Sequence, residues 1–177
     1  MSNEACAVMV IDAQNGLVST VRDGEIVLTR IANVLRKARQ RKVPILFIQH
    51  DSDEGNLKIG TPGWGLHPCL IRTQDETVIH KRASDAFYAT ELEDILRAMG
   101  IQRLFVCGFK TDMCVDTTSR RATTLGFDVT LITDAHSTTD NDVLSAQQIT
   151  DHHNHTLDDF GNDAHWIVTA SSDDELF

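Results

Sequence analysis

Ala5-Cys6-Ala7-Val8-Met9-Val10-Ile11, closed by Asp12, is the stretch whose reading decides the fold. It is apolar throughout and rich in β-branched residues. Strands half-exposed to water alternate apolar and polar positions. A continuous apolar run of this length fits a strand covered on both faces, which is the condition of a central strand in a parallel sheet. Working outward, Ile26, Leu28, Ile31, Val34, Leu35 and Ala38 recur at helical spacing up to Arg39-Gln40-Arg41-Lys42, a basic end that suits a helix C-terminus. Val43-Pro44-Ile45-Leu46-Phe47-Ile48 repeats the buried-strand signature. Thr77-Val78-Ile79-His80, Arg103-Leu104-Phe105-Val106-Cys107, Asp128-Val129-Thr130-Leu131-Ile132 and His165-Trp166-Ile167-Val168 supply four more strands. Helical patterns lie between them: one capped by Thr90 and ended by Gly100, one capped by Thr111 and ended by Gly126, and one over 144–157. Such alternation predicts a single α/β domain over 1–177, a doubly wound, Rossmann-like three-layer sandwich with a six-stranded parallel sheet. Ser171 to Phe177 reads as an acidic tail or short helix.

The totals exclude several functions. The 177 residues carry a formal net charge of −10, which opposes binding to nucleic-acid phosphates or anionic membranes. No run of about 18 apolar residues is present, so no membrane-spanning helix is expected. Met1-Ser2-Asn3-Glu4 has no basic residue, which argues against a signal peptide and for a cytoplasmic protein. Cys6, Cys69, Cys107 and Cys114 form no C-x-x-C pair and read as free thiols.

Open parallel sheets bind ligands beyond the carboxyl ends of their strands. Asp12 and Lys81 directly follow strand-like runs, and Cys114 lies one short loop beyond the fourth. The topology therefore brings the three to one sheet edge. Near the start of a helix, Cys114 would meet outward-pointing amides and a positive dipole, which with Lys81 would favour the thiolate. Asp12 would take the thiol proton and return it to a leaving group. Taken singly, each residue is equally readable as structural: a buried cysteine on an amphipathic helix, a strand-end cap, a surface cation.

Ile11-Asp12-Ala13-Gln14-Asn15, His80-Lys81-Arg82-Ala83-Ser84-Asp85-Ala86-Phe87 and Gly108-Phe109-Lys110-Thr111-Asp112-Met113-Cys114-Val115 resemble, in order, the three signature segments of the isochorismatase-like cysteine hydrolases. Asp134-Ala135-His136 extends the likeness. The resemblance implies a catalytic Asp12, Lys81, Cys114 triad, a non-proline cis peptide between Phe109 and Lys110, an oxyanion hole from the amides of Lys110 and Cys114, and a homodimer or homotetramer. Members with the full triad resemble amidases and ureido-hydrolases. Members that cleave isochorismate act on a vinyl ether and need no thiolate. A small amide or ureide, hydrolysed through a thioester without a cofactor, is therefore the expected substrate.

Nicotinamidases within this family bind a divalent metal through an Asp-x-His pair and further histidines. Here the corresponding stretch is Gln49-His50-Asp51-Ser52-Asp53, with His67 next. His50, Asp51 and His67 are the alternative metal set, although the spacing differs; the expectation is no metal. His152, His153 and His155 read as a solvated helix face. Gln14, Asn15, His50, Trp64, Phe87 and Phe109 are candidates for the substrate pocket, with Trp64 in a Gly/Pro loop within the long 51–75 connection. Two further alternatives are a redox sensor in which Cys107 resolves oxidised Cys114, and a nucleotide-binding module. The latter would need a glycine-rich loop after the first strand, where only Gly16 stands.

Overall fold

The computed structural model describes residues 5–177. Residues 1–4, on which the expectation of no basic leader rests, lie outside the described residues. Six strands form one sheet: β1 (Cys6–Ile11), β2 (Ile45–His50), β3 (Thr77–Lys81), β4 (Arg103–Phe109), β5 (Asp128–Ser137) and β6 (Ile167–Ala170). All five pairings are parallel, in the order β3-β2-β1-β4-β5-β6. The order reverses at β1, so the crevice at a topological switch point opens beyond the ends of β1 and β4.

The strand period of two divides the core. Ala7, Met9 and Ile11 of β1 pack with Leu46, Ile48, Leu104 and Val106 on one face. Val8 and Val10 pack with Phe47, Phe105 and Cys107 on the other, under Leu28, Ile31 and Leu35 of the long helix α2 (Gly24–Arg41). Helices α3 (Leu92–Ala98), α4 (Asp116–Thr124) and α5 (Ala146–Leu157) follow in chain order, and Leu92, Leu96, Ala122 and Leu157 from them enter the first face's core. A single turn, α1 (Asn15–Val18), follows β1. No helix of the described residues is long and apolar enough to cross a membrane.

Several local expectations need correction. β5 runs on to Ser137, because Asp134-Ala135-His136 continues to pair beside β4 across an irregularity between Val106 and Gly108. β6 begins at Ile167, not His165. Glu91, not Thr90, stands at the N-cap of α3; the Thr90 hydroxyl donates to Ala86 O. Thr111 does not cap a helix. It is the first residue of a π-helical turn, Thr111–Val115, and its hydroxyl is held by His136. Ser145 caps α5 through a reciprocal pair with Gln148. The C-terminal residues are docked: Phe177 packs edge-on against Phe105, and Lys37 donates to Ser172 O and Asp174 O.

Candidate active site

Asp12 ends β1 in the left-handed region, with φ 50°, and its amide donates to Ile48 O at 2.8 Å. The chain therefore turns sharply and leaves the carboxylate under the strand ends. Lys81 is the last residue of β3, in register with His50 of β2. Cys114 enters from the turn after β4, which begins at the cis peptide Phe109–Lys110. Gly108 allows that approach. Its φ is +122°, and a Cβ there would lie 2.0 Å from Ile11 O, so no other residue fits.

These elements converge on one ammonium group. Lys81 Nζ lies 2.9 Å from Asp12 Oδ2, 3.2 Å from Cys114 Sγ, 3.2 Å from His50 Nδ1 and 2.9 Å from Ala83 O. The Lys81 and Asp12 side chains are 0% and 1% exposed. Among the described residues, none gives either Asp12 oxygen a well-aligned hydrogen bond, and the ion pair with Lys81 is its chief compensation.

Burial raises the Asp12 pKa above its ordinary value, and the Lys81 charge opposes that rise. Burial pushes the Cys114 thiol up to about 12, with the Asp12 charge adding to it and Lys81 opposing it. The thiolate expected from the dipole and Lys81 is thus not the resting form: desolvation outweighs both. The sulfur therefore keeps its proton at neutral pH, beside Asp12 and Lys81. Burial and then Lys81 lower the His50 pKa, so its imidazole is neutral.

The remaining candidate residues have other occupations. Gln14 is fully buried. Its amide donates to His50 O and Trp64 O and accepts from His50 N. Asn15 Nδ2 donates to Pro62 O. Both tie the 51–75 connection to the end of β1. Trp64 stacks on His80 with ring centroids 5.8 Å apart and donates from Nε1 to Asp51 Oδ1 at 2.7 Å. Phe87 is 8% exposed and stacks on Phe127, and Phe109 is buried in the core on the α2 face.

His50, Asp51 and His67 do not assemble as ligands. Asp51 Oδ1 is engaged by Trp64 and His80. His67 Nδ1 accepts from Cys69 N, and its Nε2 faces Glu25. Among the described residues, the metal-type donors gathered within 4.8 Å of one another belong to Asp12, His50 and Cys114. The cation they surround is the Lys81 ammonium. His153 is bonded to Ile149 O on its own helix. Cys107 packs on the face opposite Cys114, which removes it as a resolving thiol.

Sequence reasoning missed the support behind the nucleophile's turn. Asn154 Nδ2 donates to Thr133 O, which orients its Oδ1 toward His136 Nε2. His136 Nδ1 then accepts from the Thr111 hydroxyl at 2.9 Å. Asp134-Ala135-His136 was the available signal, but nothing in it names Thr111 as the partner.

Comparison with known proteins shows the family. The family model for the isochorismatase domain matches residues 6–172. A streptothricin hydrolase of Streptomyces noursei is 36% identical over 138 residues, covering 76% of this chain and 55% of that protein. The chain thus spans about half the length of that relative. The uncharacterized isochorismatase family protein YddQ of Bacillus subtilis (strain 168) is 32% identical over 144 residues, covering 75% of this chain and 78% of that one. The crystal structure of an isochorismatase from Pseudomonas putida KT2440 superposes with a TM-score of 0.88 at 29% identity, covering 95% of this chain and 88% of that one. The chain belongs to the isochorismatase family of hydrolases.

Proposed function

We propose that this protein is a cysteine hydrolase that cleaves the C–N bond of a small amide or ureide through a thioester on Cys114. The observation that carries the reading is the Lys81 ammonium lying 2.9 Å from Asp12 Oδ2 and 3.2 Å from Cys114 Sγ. Asp12 accepts the thiol proton as sulfur attacks the substrate carbonyl, so no free thiolate has to persist in a buried site. The amides of Lys110 and Cys114 hold the oxyanion. Collapse breaks the C–N bond, and Asp12 passes its proton to the leaving nitrogen. Water, deprotonated by Asp12, then opens the thioester and the thiol is restored. Lys81 stays charged throughout and keeps Asp12 ionised when it must act as a base.

A panel of small amides and ureides, including nicotinamide and streptothricin, read by ammonia or amine release, tests the reading. Cys114→Ala should abolish turnover of any substrate found while the protein stays folded. Quenched wild-type reactions should carry an acyl group on the tryptic peptide Thr111–Arg120, in which Cys114 is the one cysteine. An alanine variant with normal rates would end the proposal. The residues for a metal-dependent nicotinamidase do not converge, so exhaustive chelation should leave turnover unchanged.

A further inference from the structure

The Lys81 ammonium carries three N–H groups, and three aligned acceptors take them: Ala83 O at 2.9 Å, Cys114 Sγ at 3.2 Å and His50 Nδ1 at 3.2 Å. The direction of the N–H that meets the sulfur is therefore set by where the other two point. His50 is the register partner of Lys81, so the sheet holds it. Ala83 lies beyond β3, in a turn that no strand holds. Ala86 and Phe87 anchor the far end of that turn in the core. Two side chains of α4 also reach it. Arg121 approaches Asp85 at 3.8 Å from a half-exposed position, a contact worth little. Thr118 is fully buried, and it stands four residues after Cys114. Its Oγ1 accepts from Ala86 N at 3.1 Å and donates to Ser84 O at 3.2 Å. The peptide that bears Ser84 O directly follows the one that bears Ala83 O.

We propose that Thr118 is a positioning residue that acts through Ala83 O on Lys81: by fixing the turn from Ser84 to Ala86, its hydroxyl keeps the ammonium aimed at Cys114 Sγ as charge forms on the sulfur. The inference rests on Cys114 being the nucleophile. One segment, 111–124, thus supplies both the sulfur and the hydroxyl that aims a cation at it. Losing the hydroxyl has two conceivable effects, of opposite sign. Burial is the largest cause of the raised Cys114 pKa, so mere loosening would admit water and make the sulfur more reactive. Loss of aim would weaken Lys81, which opposes that rise, and make the sulfur less reactive. Asp12 and the neutral His50 also face the sulfur, and both belong to strand ends on the other side of the ammonium's contacts with the turn.

Thr118→Val keeps the shape of the side chain and removes both bonds. The assay is iodoacetamide alkylation of Cys114, followed by mass on the Thr111–Arg120 peptide, and it needs no substrate. The valine variant should react more slowly than wild type, by about threefold between pH 7 and 9, with the rate–pH profile moved to higher pH; a tenfold loss of thiolate is offset by roughly threefold in nucleophilicity. Thr118→Ser, which keeps the hydroxyl, should restore the wild-type profile. Thr118→Ala serves the same purpose if the valine does not fold. Unchanged or faster alkylation in folded Thr118→Val or Thr118→Ala overturns the inference, as does failure of serine to restore the profile. If neither apolar variant folds, the hydroxyl is structural and the inference falls. Retained turnover in Cys114→Ala would instead defeat the underlying reading, so the two failures are distinguishable.

Discussion

Replacing Lys81 by methionine removes the one cation that balances Asp12 inside the protein. The two side chains are 0% and 1% exposed and 2.9 Å apart, so water cannot take over the role of Lys81. Breaking a buried pair by removing one partner destabilises by about 3–5 kcal/mol, because the surviving charge is uncompensated. For a chain of this size each kcal/mol shifts Tm by roughly 2–4 °C, so a fall on the order of 10 °C is expected. The pH dependence carries its own signature. Burial already raises the Asp12 pKa, and Lys81 opposes that rise. In the variant the folded-state pKa climbs further above the unfolded one. The native state then binds the proton more tightly than the unfolded state, so the variant's deficit shrinks as pH falls through the folded-state pKa. Adding Asp12→Asn should recover most of the loss at neutral pH, while both variants remain inactive. Thermal denaturation of the two variants and wild type from pH 5 to 8 reads all of this. A Lys81→Met protein as stable as wild type at pH 7, or a double variant less stable than the single, would refute the reasoning.

Gly108→Ala should lose more than about 3 kcal/mol, since its Cβ would meet Ile11 O at 2.0 Å and its φ of +122° is hostile to any side chain; denaturant unfolding or failure to express checks this. His136 is buried and neutral, its pKa pushed down to about 4 by desolvation. The unfolded chain therefore binds a proton that the native state refuses between pH 6.5 and 4. On the order of 3 kcal/mol present above pH 6.5 should be lost across that window, and His136→Asn should show a correspondingly flatter curve. Cys107 lies on the sheet face opposite Cys114, so Cys107→Ala should turn over normally, and mild peroxide should produce no Cys107–Cys114 disulfide by mass spectrometry.

What was legible in the sequence had a periodic or punctuated cause. The apolar runs of β1, β2 and β4 announced strands covered on both faces, and the polar residues stopping β1 and β3 announced where chemistry would gather. The protonation state of Cys114 was not legible. A helix start and a nearby lysine both favour the thiolate, but the depth of burial that overrides them exists only once the sheet is assembled. Thr111 failed for a related reason: a residue with capping chemistry serves whichever acceptor comes closest, and His136 arrives from a strand 25 positions away. Gln14 and Asn15 looked like substrate ligands because they adjoin Asp12. Their amide nitrogens also reach carbonyls of the 51–75 connection, at a distance no local pattern encodes.

That tether has a consequence for how such an enzyme changes its substrate. The connection is fastened at its base by the Gln14 amide to Trp64 O, by Gly16 N to Gly63 O and by His67 N to Ala13 O. Its largely exposed stretch around Glu54 to Gly60 folds back on Ser52 and rests on these ties through Asn56. Asp12, Lys81 and Cys114 are held by strand ends and by a turn of another segment. Exchanges among the exposed side chains of that outer stretch touch none of the groups of Asp12, Lys81 or Cys114. In evolutionary terms the scaffold separates a part that must hold still from a part that is free to drift. On the proposed function, new specificities can be tried on the loop while the proposed catalytic groups are inherited intact.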